Sequence, residues 1–497
     1  MSLLGIDIGT TGCKAASFSL DGRCLAQAYR EYDTFHPEVG WAELDSVEVW
    51  EKTKAVIAEV AAATRADPVT ALSVSAFGEA FVPVTASRGI LDNTILCVDD
   101  RGREHSDRLA REFGQERFYS ANPNILGTSY SLPKMMWLRD HRPEIYGNAD
   151  YILLWSDLAA FMLGCEPVTN NSHANRTLLF DFERNDWSDE LLAWSGIPRS
   201  KLGRIVCGGD VIGKVAPAMA GELGLPGNVT VVAGGHDQCC NALGCGAIRA
   251  GDAVCGMGTF ECITPVYARP DRTLDMLAEG LNIEHHVLPG LYVSFIFNQG
   301  GALVKWFRDT FAAHEPVPAG TDIYGQLAAE MPLEPTHLLV LPHFQPPVSP
   351  RFIEETAGII MGLRTTTQRG EILKAIMECT TLYFVDSIAA LRRIGADTTE
   401  FIASGGGARS DAWLQIKADI FGVPFIRPRM TEGGVLGAAM LAGMATGCFS
   451  SAKEAVGVFV ERDRVFEPDA TRHAIYREKH ALYRQVFDAN HNILKHL

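Results

Sequence analysis

Three glycine-rich stretches decide the fold of this chain: GIDIGTTGCK at residues 5–14, GMGT at residues 256–259 and ASGGGARSD at residues 403–411. Each follows an apolar run that is typical of a β-strand. Glycine lets backbone N–H groups approach a phosphate closely and permits the φ > 0 turns around it. The P-loop pattern GxxxxGK[ST] is absent from all three, so the first stretch predicts a strand–turn–strand phosphate clip. Three such loops, far apart in sequence, predict one nucleotide held between two lobes.

Length and composition limit the classes of protein to which the chain can belong. A single hydrophobic core stops growing near ~250–300 residues, so a chain of 497 residues is expected to form two domains. We place them at residues 1–246 and 247–497. With 47% hydrophobic and 21% charged residues, the composition is that of a soluble globular protein. A formal net charge of -16 argues against a nucleic-acid surface and favours a small ligand.

The first residues carry no pattern of a signal peptide, and no apolar run reaches the roughly 18 residues of a membrane span. We therefore expect a cytoplasmic protein without a membrane partner. The 12 cysteines include a cluster between Cys239 and Cys262, but the sequence patterns CxxC and HxxxH do not accompany it. Buried thiols in a reducing compartment are the favoured interpretation.

Strands and helices are predicted to alternate after a β-rich start, which is an α/β arrangement. A helix is expected from about Asp45, with Ser46 as its cap, because apolar residues then recur at helical spacing. The other predicted strands cover residues 3–8, 13–19, 24–32, 69–76 and 400–403, and the other helices residues 104–113, 134–139, 157–163, 371–394 and 469–497. The last of these helices is a candidate to dock on the first domain. The segment GDAVCGMGTFECITPV repeats the first clip, which we interpret as a weak internal duplication.

Asp7 lies at the mouth of the first clip, before Thr10, Thr11 and Lys14. A carboxylate repels phosphate, so its useful role at such a site is to hold Mg²⁺, often through water. Capping of the turn is the structural alternative, with equal weight. Lys14 suits a phosphate oxygen, and its alternative is a solvated position on the outer face of its strand.

Asp237 follows an apolar strand and two glycines, and it is expected to open a helix through residue 242. A carboxylate at the end of a buried strand, facing a cleft between domains, can accept a proton from a sugar hydroxyl. Taken alone, the residue is more simply explained as an N-cap, but the neighbouring glycine clips favour the catalytic role. His236 is expected to pack or to form a hydrogen bond rather than to act as a second base.

Several segments in the correct order resemble the FGGY carbohydrate kinases of the actin-like ATPase superfamily: DIGTTGCKAASFSLDG, GGHDQ, GMGTFECITPV and SGGGARSDAWLQIKADIFGVPF. The most specific is GIIMGLRTTTQRGEILKAIME at residues 358–378, which fits the family's second signature. The match extends from the first strand to about residue 443. The resemblance implies two actin-like (ribonuclease H-like) domains with a nucleotide and sugar cleft between them, ATP and Mg²⁺ as cofactors, and a homodimer as the assembly.

The resemblance also implies roles at matching positions. Asp237 stands at the catalytic base, and Asp7 stands at the Mg²⁺-linked aspartate. The residues implied in ATP binding are Thr10, Thr11 and Lys14 in the first phosphate loop, Gly258 and Thr259 in the second, and Gly405, Gly406, Gly407 and Ala408 beside adenosine. Asp99 and Arg101 look like the substrate-side WxDxR element, although Cys97 replaces its usual Trp. Gly301, in a strand-to-helix turn, is a further candidate for phosphate contact, with a plain turn as its alternative.

The acceptor pocket departs from the relatives in this resemblance. Xylulose kinases usually carry GQMHG after the strand that ends here at Ala76, whereas this chain has AFGEA, which places Glu79 at the histidine position. Glycerol kinases carry an Arg-Glu pair there, and in this chain Gly78 precedes Glu79. Glu79 can accept hydrogen bonds from two neighbouring hydroxyls, so a ketose or polyol substrate is chemically suitable. A surface glutamate is the alternative interpretation.

The favoured function is transfer of the γ-phosphoryl group of ATP to a hydroxyl of a ketopentose such as D-xylulose. Gluconate, glycerol, a tetritol and a hexulose are the alternative acceptors. Two rival functions are an actin-like ATPase without an acceptor and a sugar-binding regulator without activity. The segment at residues 358–378 argues against the first rival, and the intact Asp237 argues against the second.

Overall fold

Two β-sheets, one from each half of the chain, form the framework of the molecule. The computed structural model describes residues 1–268, 274–317, 322–345, 353, 355–430 and 432–497. We call residues 1–246 the N-terminal half and residues 247–497 the C-terminal half. Helices lie between and around the two sheets, so the predicted α/β class is confirmed.

The elements of the N-terminal half begin with a three-stranded meander. Its strands are β1 (Ser2–Ile8), β2 (Gly12–Ser19), β3 (Cys24–Glu31), β4 (Glu43–Leu44), β5 (Val69–Ala76), β6 (Phe81–Val84), β7 (Thr94–Ile95), β8 (Tyr151–Leu154), β9 (Val168–Asn170), β10 (Phe180–Asp181), β11 (Asp186–Trp187), β12 (Arg204–Val206), β13 (Val211–Lys214) and β14 (Thr230–His236). Its α-helices are α1 (Ser46–Ala63), α2 (Arg103–Glu112), α3 (Gln115–Ala121), α4 (Ser131–His141), α5 (Pro143–Asn148), α6 (Trp155–Met162), α7 (Asn171–Arg176), α8 (Asp189–Ser195), α9 (Pro217–Leu223) and α10 (Asp237–Cys245).

The elements of the C-terminal half include the two longest helices of the described chain. Its described strands are β15 (Asp252–Met257), β16 (Glu261–Tyr267), β17 (Glu284–His285), β18 (Tyr292–Val293), β19 (Ile296–Asn298), β20 (Leu339–Leu341), β21 (Ile359–Met361), β22 (Glu400–Ser404), β23 (Phe425–Pro428) and β24 (Arg462–Phe466). Its described α-helices are α11 (Leu274–Ala278), α12 (Gly300–Phe311), α13 (Ile323–Ala329), α14 (Arg369–Arg393), α15 (Asp411–Phe421), α16 (Gly433–Ala445), α17 (Ala452–Phe459) and α18 (Ala470–Leu494).

The two sheets repeat one pattern of strand directions. In the first sheet, of order β13-β14-β5-β1-β2-β3, the strands β1, β5 and β14 are parallel, and antiparallel strands lie at both edges. In the second sheet, β15, β22 and β23 are parallel, with β16 antiparallel on one side and β24 antiparallel on the other. Each sheet therefore places a strand–turn–strand hairpin, β1–β2 or β15–β16, beside a parallel centre. This supports the interpretation of the sequence as an internal duplication.

The predicted strands and helices are found within a few residues of their expected bounds, with one difference at a helix start. Asp45, and not Ser46, caps α1, because the Asp45 carboxylate accepts hydrogen bonds from the backbone N–H groups of Val47 and Glu48 at 2.9 and 3.0 Å. A side-chain oxygen at this position satisfies N–H groups that have no partner inside the helix.

Helix α16 joins the halves, because this C-terminal element packs on β1, β5 and β14 of the first sheet. Its neighbour is α10, and glycines allow the two backbones to touch. A Cβ atom at Gly437 would overlap the carbonyl oxygen of Cys240, and one at Gly244 would overlap that of Gly433. The strand below is approached as closely, since a Cβ at Gly5 would overlap the backbone of α16. Glycine is required at these positions because any side chain would separate the layers.

The last helix, α18, packs against α14, α15 and β20 of the C-terminal half rather than on the first domain, which was a candidate position for it. Polar contacts explain its position. Tyr476 donates a hydrogen bond to the buried carboxylate of Glu378 at 2.9 Å, and Lys479 forms an ion pair with the same carboxylate. Glu378 is the acidic residue that closes the signature at residues 358–378, so in this structure it anchors the last helix. Among the described helices, none combines the length and hydropathy needed to span a bilayer.

Candidate active site

The site begins where three parallel strands end at the same edge of the first sheet. Ile8 of β1 is level with Ala76 of β5, and Ala76 is level with His236 of β14. Asp7 therefore lies near the end of β1, and Asp237 follows the end of β14, with β5 between these two strands. The carboxyl ends of parallel strands are where open α/β sheets bind their ligands.

Asp7 is held by its neighbour in the sheet, because the Ser75 hydroxyl donates a hydrogen bond to Asp7 Oδ1 at 2.5 Å. Burial raises the pKa of Asp7, while Ser75 and the nearby Lys14 oppose that effect. Gly434 at the start of α16 leaves room for the carboxylate, since a Cβ there would lie 2.8 Å from Asp7 Oδ1. The carboxyl oxygens are hard ligands of the kind that Mg²⁺ prefers.

The first glycine turn is a tight connection between β1 and β2. Gly9 donates its N–H to the carbonyl of Gly12 at 2.9 Å, and the Tyr32 hydroxyl donates to the carbonyl of Gly9. Thr10 and Thr11 form the tip, where Thr10 is partly buried and Thr11 is exposed. The turn therefore presents polar groups next to Asp7, in the arrangement expected of a phosphate clip.

Lys14 has a partner that the sequence did not predict. Its ammonium group forms an ion pair with Glu432, just before α16, and lies 5.7 Å from the centre of the Tyr29 ring. The Glu432 side chain is 54% exposed, so this pair is at the surface and is readily exchanged. A phosphate group would compete with Glu432 for Lys14.

Asp237 is the first residue of α10, and the N-cap of that helix is His236. The structural alternative of an N-cap aspartate is therefore not realised, although the negative charge still gains from the positive end of the helix dipole. The Asp237 side chain is 29% exposed, and His236 Nε2 lies 3.2 Å from its Oδ1. Burial keeps the pKa of His236 well below its ordinary value, so a neutral imidazole faces the carboxylate.

The environment of Asp237 raises its pKa to about 7. Desolvation by burial is the largest cause, the negative charge of Asp7 adds to it, and hydrogen bonds from Gln238 and the charge of Arg176 oppose it. A carboxyl group with a pKa near the working pH can accept a proton and release it again. The geometry therefore suits a general base.

Glu79 is buried, and its carboxylate forms an ion pair with Arg176 at the end of α7. The same guanidinium contacts Glu284 Oε1 of β17 at 2.5 Å. Glu284 belongs to the C-terminal half, so Arg176 connects the two halves beside Asp237. The interpretation of Glu79 as a surface glutamate is wrong, because only 8% of the residue is exposed.

Gly78 makes the space that this arginine occupies. A Cβ at Gly78 would lie 2.5 Å from Arg176 Nε and 2.9 Å from His236 Nε2. The rings of Tyr130 and Phe295 lie on the guanidinium, each with its centre 5.4 Å from Arg176 Cζ. Aromatic faces attract a planar cation and fix its orientation.

Asp99 and Arg101 form a second cluster with Glu43, inside the N-terminal half. Arg101 donates to both oxygens of Asp99, at 2.9 and 2.7 Å, and to Glu43 at 2.6 Å. Asp99 also accepts from the backbone N–H groups of Ala42 and Arg101, at 2.6 and 2.8 Å. Asp99 is 0% exposed and Arg101 is 4% exposed, so in this conformation the polar groups of both side chains bond to the protein. Direct contact of Asp99 and Arg101 with an acceptor stays a prediction.

The second glycine turn lies against the start of α12. A Cβ at Gly301 would overlap the carbonyl oxygen of Gly258, and Ala302 donates its N–H to the carbonyl of Thr259 at 3.0 Å. Gly301 is therefore next to the predicted phosphate loop rather than in an isolated turn. The N-terminus of a twelve-residue helix points at the same loop, which favours an anion there.

The third glycine stretch closes on the second one. Gly405 has a φ of 81°, and a Cβ there would lie 3.0 Å from the carbonyl oxygen of Met257. At Gly406, by contrast, a Cβ would enter open space among the described residues. Gly407 lies against the side chain of Met257. Ala408 is fully buried in the C-terminal core, so its methyl group supports the loop and does not face outwards.

Sequence reasoning missed Arg176 and Glu284, which form an ion-pair cluster with Glu79. Arg176 stands in a polar segment, NNSHANRT, that matches no motif with a chemical meaning. Glu284 lies in a two-residue strand, too short to produce a periodic pattern. The sequence would have signalled a partner only if Glu79 had been taken as buried, because a buried carboxylate needs a cation from elsewhere in the chain.

Comparison with known proteins assigns a family to this fold and site. The model of the N-terminal domain of the FGGY family of carbohydrate kinases matches residues 2–244, and the model of its C-terminal domain matches residues 253–446. The chain is 28% identical to a xylulose kinase of Bacillus subtilis (strain 168) over 487 residues, which cover 98% of this chain and 96% of the relative.

Other similar proteins include both a glycerol kinase and a further xylulose kinase. A glycerol kinase of Rhizorhabdus wittichii is 30% identical over 480 residues, with coverage of 90% and 89%. The crystal structure of xylulose kinase from Rhodospirillum rubrum superposes with a TM-score of 0.89 at 26% identity, covering 99% of this chain and 100% of that chain. The expected actin-like, two-domain architecture is confirmed by this match. The chain therefore belongs to the FGGY family of carbohydrate kinases.

Proposed function

We propose that this carbohydrate kinase transfers the γ-phosphoryl group of ATP to a hydroxyl of a neutral ketose or polyol, with a ketopentose such as D-xylulose as the first candidate. The observation that carries the proposal is the position of Asp237 between Asp7 and the Glu79–Arg176 pair. A base with a pKa of about 7 is thus near both a candidate metal-linked carboxylate, Asp7, and Arg176, the ion-pair partner of the buried Glu79. In-line transfer to an alcohol requires this order of groups.

The residues that would hold the nucleotide come from both halves. Thr10, Thr11 and Lys14 would bind phosphate from the first sheet. Gly258, Thr259 and Gly301 would do so from the second, and the backbone of residues 405–408 would line the nucleoside side. We place both groups around the strand ends that carry the two aspartates. ATP use follows from membership of the family, and these contacts are our assignment.

Asp7 would hold Mg²⁺, directly or through water. Its carboxylate is fixed by Ser75 and faces the bare backbone of Gly434, so its oxygens lie beside the first clip without a covering side chain at that position. When bound, Mg²⁺ would neutralise charge on the phosphate oxygens. Asp237 would orient the attacking hydroxyl and take its proton late, because phosphoryl transfer has a loose transition state.

The charge of the pocket favours a neutral acceptor over a sugar acid such as gluconate. Arg176 is already shared between the carboxylates of Glu79 and Glu284, so its charge is compensated. An acceptor carboxylate would add a negative charge near Asp237, whose pKa a nearby negative charge already raises. Hydroxyl groups, by contrast, can donate hydrogen bonds to Glu79.

A polyol such as glycerol or a tetritol is the second candidate acceptor. The observation that favours it is the Glu79–Arg176 contact, since Arg176 fills the space beside Gly78. The chain thus builds an Arg-Glu pair, the feature that the glycerol-kinase pattern has at these positions, from an arginine on α7. Asp99 and Arg101 would act on either acceptor indirectly, by fixing the loop before α2.

A screen of ADP release tests the proposal. The acceptors are pentuloses, hexuloses, glycerol, tetritols and gluconate, each with ATP and Mg²⁺. We expect acceptor-dependent turnover, with the highest kcat/KM for a neutral ketose or polyol. ATP hydrolysis that no acceptor stimulates would indicate an ATPase of another kind, and a preference for gluconate would contradict the charge argument.

The variant Glu79→Ala tests whether the acceptor binds beside Glu79. We expect kcat/KM for the acceptor to fall by about 10- to 100-fold, the range for lost hydrogen bonds to a charged group, while the KM for ATP stays nearly constant. The matched control is Glu43→Ala, which removes another buried glutamate from an arginine outside the pocket. A defect confined to the KM for ATP would refute the assignment of Glu79.

A further inference from the structure

We propose that Arg176 and Glu284 form a latch between the halves that couples acceptor binding to nucleotide binding; this rests on the proposed function. Arg176 extends from α7 in the N-terminal half, and Glu284 lies on β17 of the C-terminal sheet. Their contact at 2.5 Å lies beside Glu79, which we assign to the acceptor. Arg176 is then a positioning residue that acts through Glu79.

The latch retains hydrogen-bonding groups that the protein does not use. Arg176 Nε and Glu284 Oε2 are buried, and neither has a hydrogen-bond partner among the described residues. A buried donor and a buried acceptor without a protein partner need a ligand or a water molecule as partner, because an unpaired buried polar group is unfavourable. Hydroxyl groups of an acceptor or ordered water would satisfy them. We expect the acceptor, by replacing water at these groups, to strengthen the contact between the halves.

A short path connects Glu284 to the second phosphate loop. Glu284 pairs with Val293 of β18, and Val293 pairs with Val266 of β16. Strand β16 begins directly after the turn that contains Gly258 and Thr259. The carboxylate that holds Arg176 is therefore fixed to the sheet that carries a proposed ATP-binding loop. A movement of Glu284 therefore moves the hydrogen-bonded strands that carry this loop, and a movement of the loop moves Glu284.

The surroundings of Arg176 favour one orientation of its guanidinium. Tyr130 and Phe295 lie on it, and Gly78 leaves the space beside Nε free of a side chain. Asn282 donates a hydrogen bond to Glu284 Oε1 at 2.5 Å and so fixes the second carboxylate as well. Removal of the Glu284 charge leaves Arg176 attached to Glu79 alone. The acceptor pocket would then remain while its connection to the C-terminal half is weakened.

The test measures binding of the non-hydrolysable ATP analogue with a β,γ-imido group, with and without acceptor. The acceptor is D-xylulose, or glycerol if the screen ranks it higher. In the unchanged chain we expect the acceptor to tighten analogue binding by about 5-fold or more, within the usual range for coupled sites. In Glu284→Gln and in Arg176→Lys we expect this factor to fall below about 2-fold.

The matched control is Glu43→Gln, the same change in the Arg101 cluster, which lies within one half. We expect it to lower the melting temperature and to preserve the coupling factor. An unchanged factor in both Glu284→Gln and Arg176→Lys, or no coupling in the unchanged chain, would overturn the latch. These outcomes are distinct from failure of the proposed function, in which the unchanged chain would show no acceptor-dependent turnover.

Discussion

The N-terminal half contains two buried arginines that each bind two carboxylates, and the two clusters differ in what they leave unpaired. Around Arg101, Glu43 and Asp99 use all three guanidinium nitrogens, and backbone N–H groups complete the Asp99 oxygens. Around Arg176, the Nε atom and one oxygen of Glu284 are unpaired among the described residues.

The difference teaches how a buried charge cluster can be assigned. A complete cluster, in which each guanidinium nitrogen already has a protein partner, stabilises the fold and the loop that contains it. An incomplete cluster retains buried donors and acceptors that a ligand can satisfy. The Arg101 cluster also belongs to one half, whereas the Arg176 cluster joins both halves. Stability is therefore expected to depend on the first cluster and acceptor chemistry on the second.

Asp237→Asn is expected to give the largest effect on the functional side of this comparison. Turnover should fall by about 10² to 10⁴, the range for loss of a general base, while nucleotide binding persists. Stopped assays of ADP release and titration with the ATP analogue measure the two quantities. Full activity in this variant would show that the incomplete cluster is not beside the reacting hydroxyl.

Arg101→Met tests the structural side. Removing one partner of a buried ion cluster leaves two carboxylates uncompensated, so the free energy of unfolding should fall by about 3–5 kcal/mol. Chemical denaturation followed by tryptophan fluorescence measures it, with Arg108→Met at a partly exposed position as the control. An unchanged free energy of unfolding together with a higher KM for the acceptor would instead indicate that Arg101 contacts the acceptor.

Gly301→Ala extends the comparison from side chains to the backbone. Its Cβ would overlap the carbonyl oxygen of Gly258, so the second phosphate loop must move, and the KM for ATP should rise by about tenfold, equal to ~1.4 kcal/mol. The control is Gly457→Ala in α17, where a Cβ meets nothing within 4 Å among the described residues. Normal ATP kinetics in Gly301→Ala would exclude this turn from the nucleotide site.

The pH dependence is the mildest test. Since the base must be ionised and the pKa of Asp237 is raised to about 7, kcat/KM should rise with pH up to about 7 and then become constant. Below that value it should fall by about tenfold per pH unit. Steady-state kinetics between pH 5.5 and 9 at roughly constant ionic strength measure the profile. A profile that is flat through this range would contradict the environment assigned to Asp237.

The sequence was sufficient where local patterns determine the structure. The glycine clip after β1 and the apolar strand before Asp237 are local, and both were predicted with their roles in the fold. The helix that starts at Asp237 was also predicted, because glycines followed by an acidic residue are typical of a strand-to-helix transition. The roles of Asp7 and Asp237 in chemistry remain predictions that the variants above test.

The sequence was insufficient where contacts join distant residues. Arg176 meets Glu284 across 108 positions, and Lys14 meets Glu432 across 418. No periodic pattern encodes such a pair, because each partner is set by how the two sheets pack. The closed environment of Asp99 and Arg101 was missed for the same reason, since the sequence shows their spacing and not the Glu43 carboxylate that completes them.

The glycine-to-carbonyl contacts of α16 mean that the chain cannot be divided at the boundary between its two sheets. A fragment that ends near residue 246 would lack this helix and would expose the face of β1 that α16 covers, where Leu3 is fully buried in the intact chain. The first sheet thus depends for its solubility on residues synthesised almost two hundred positions later. Truncated products are expected to aggregate rather than to persist as half-enzymes.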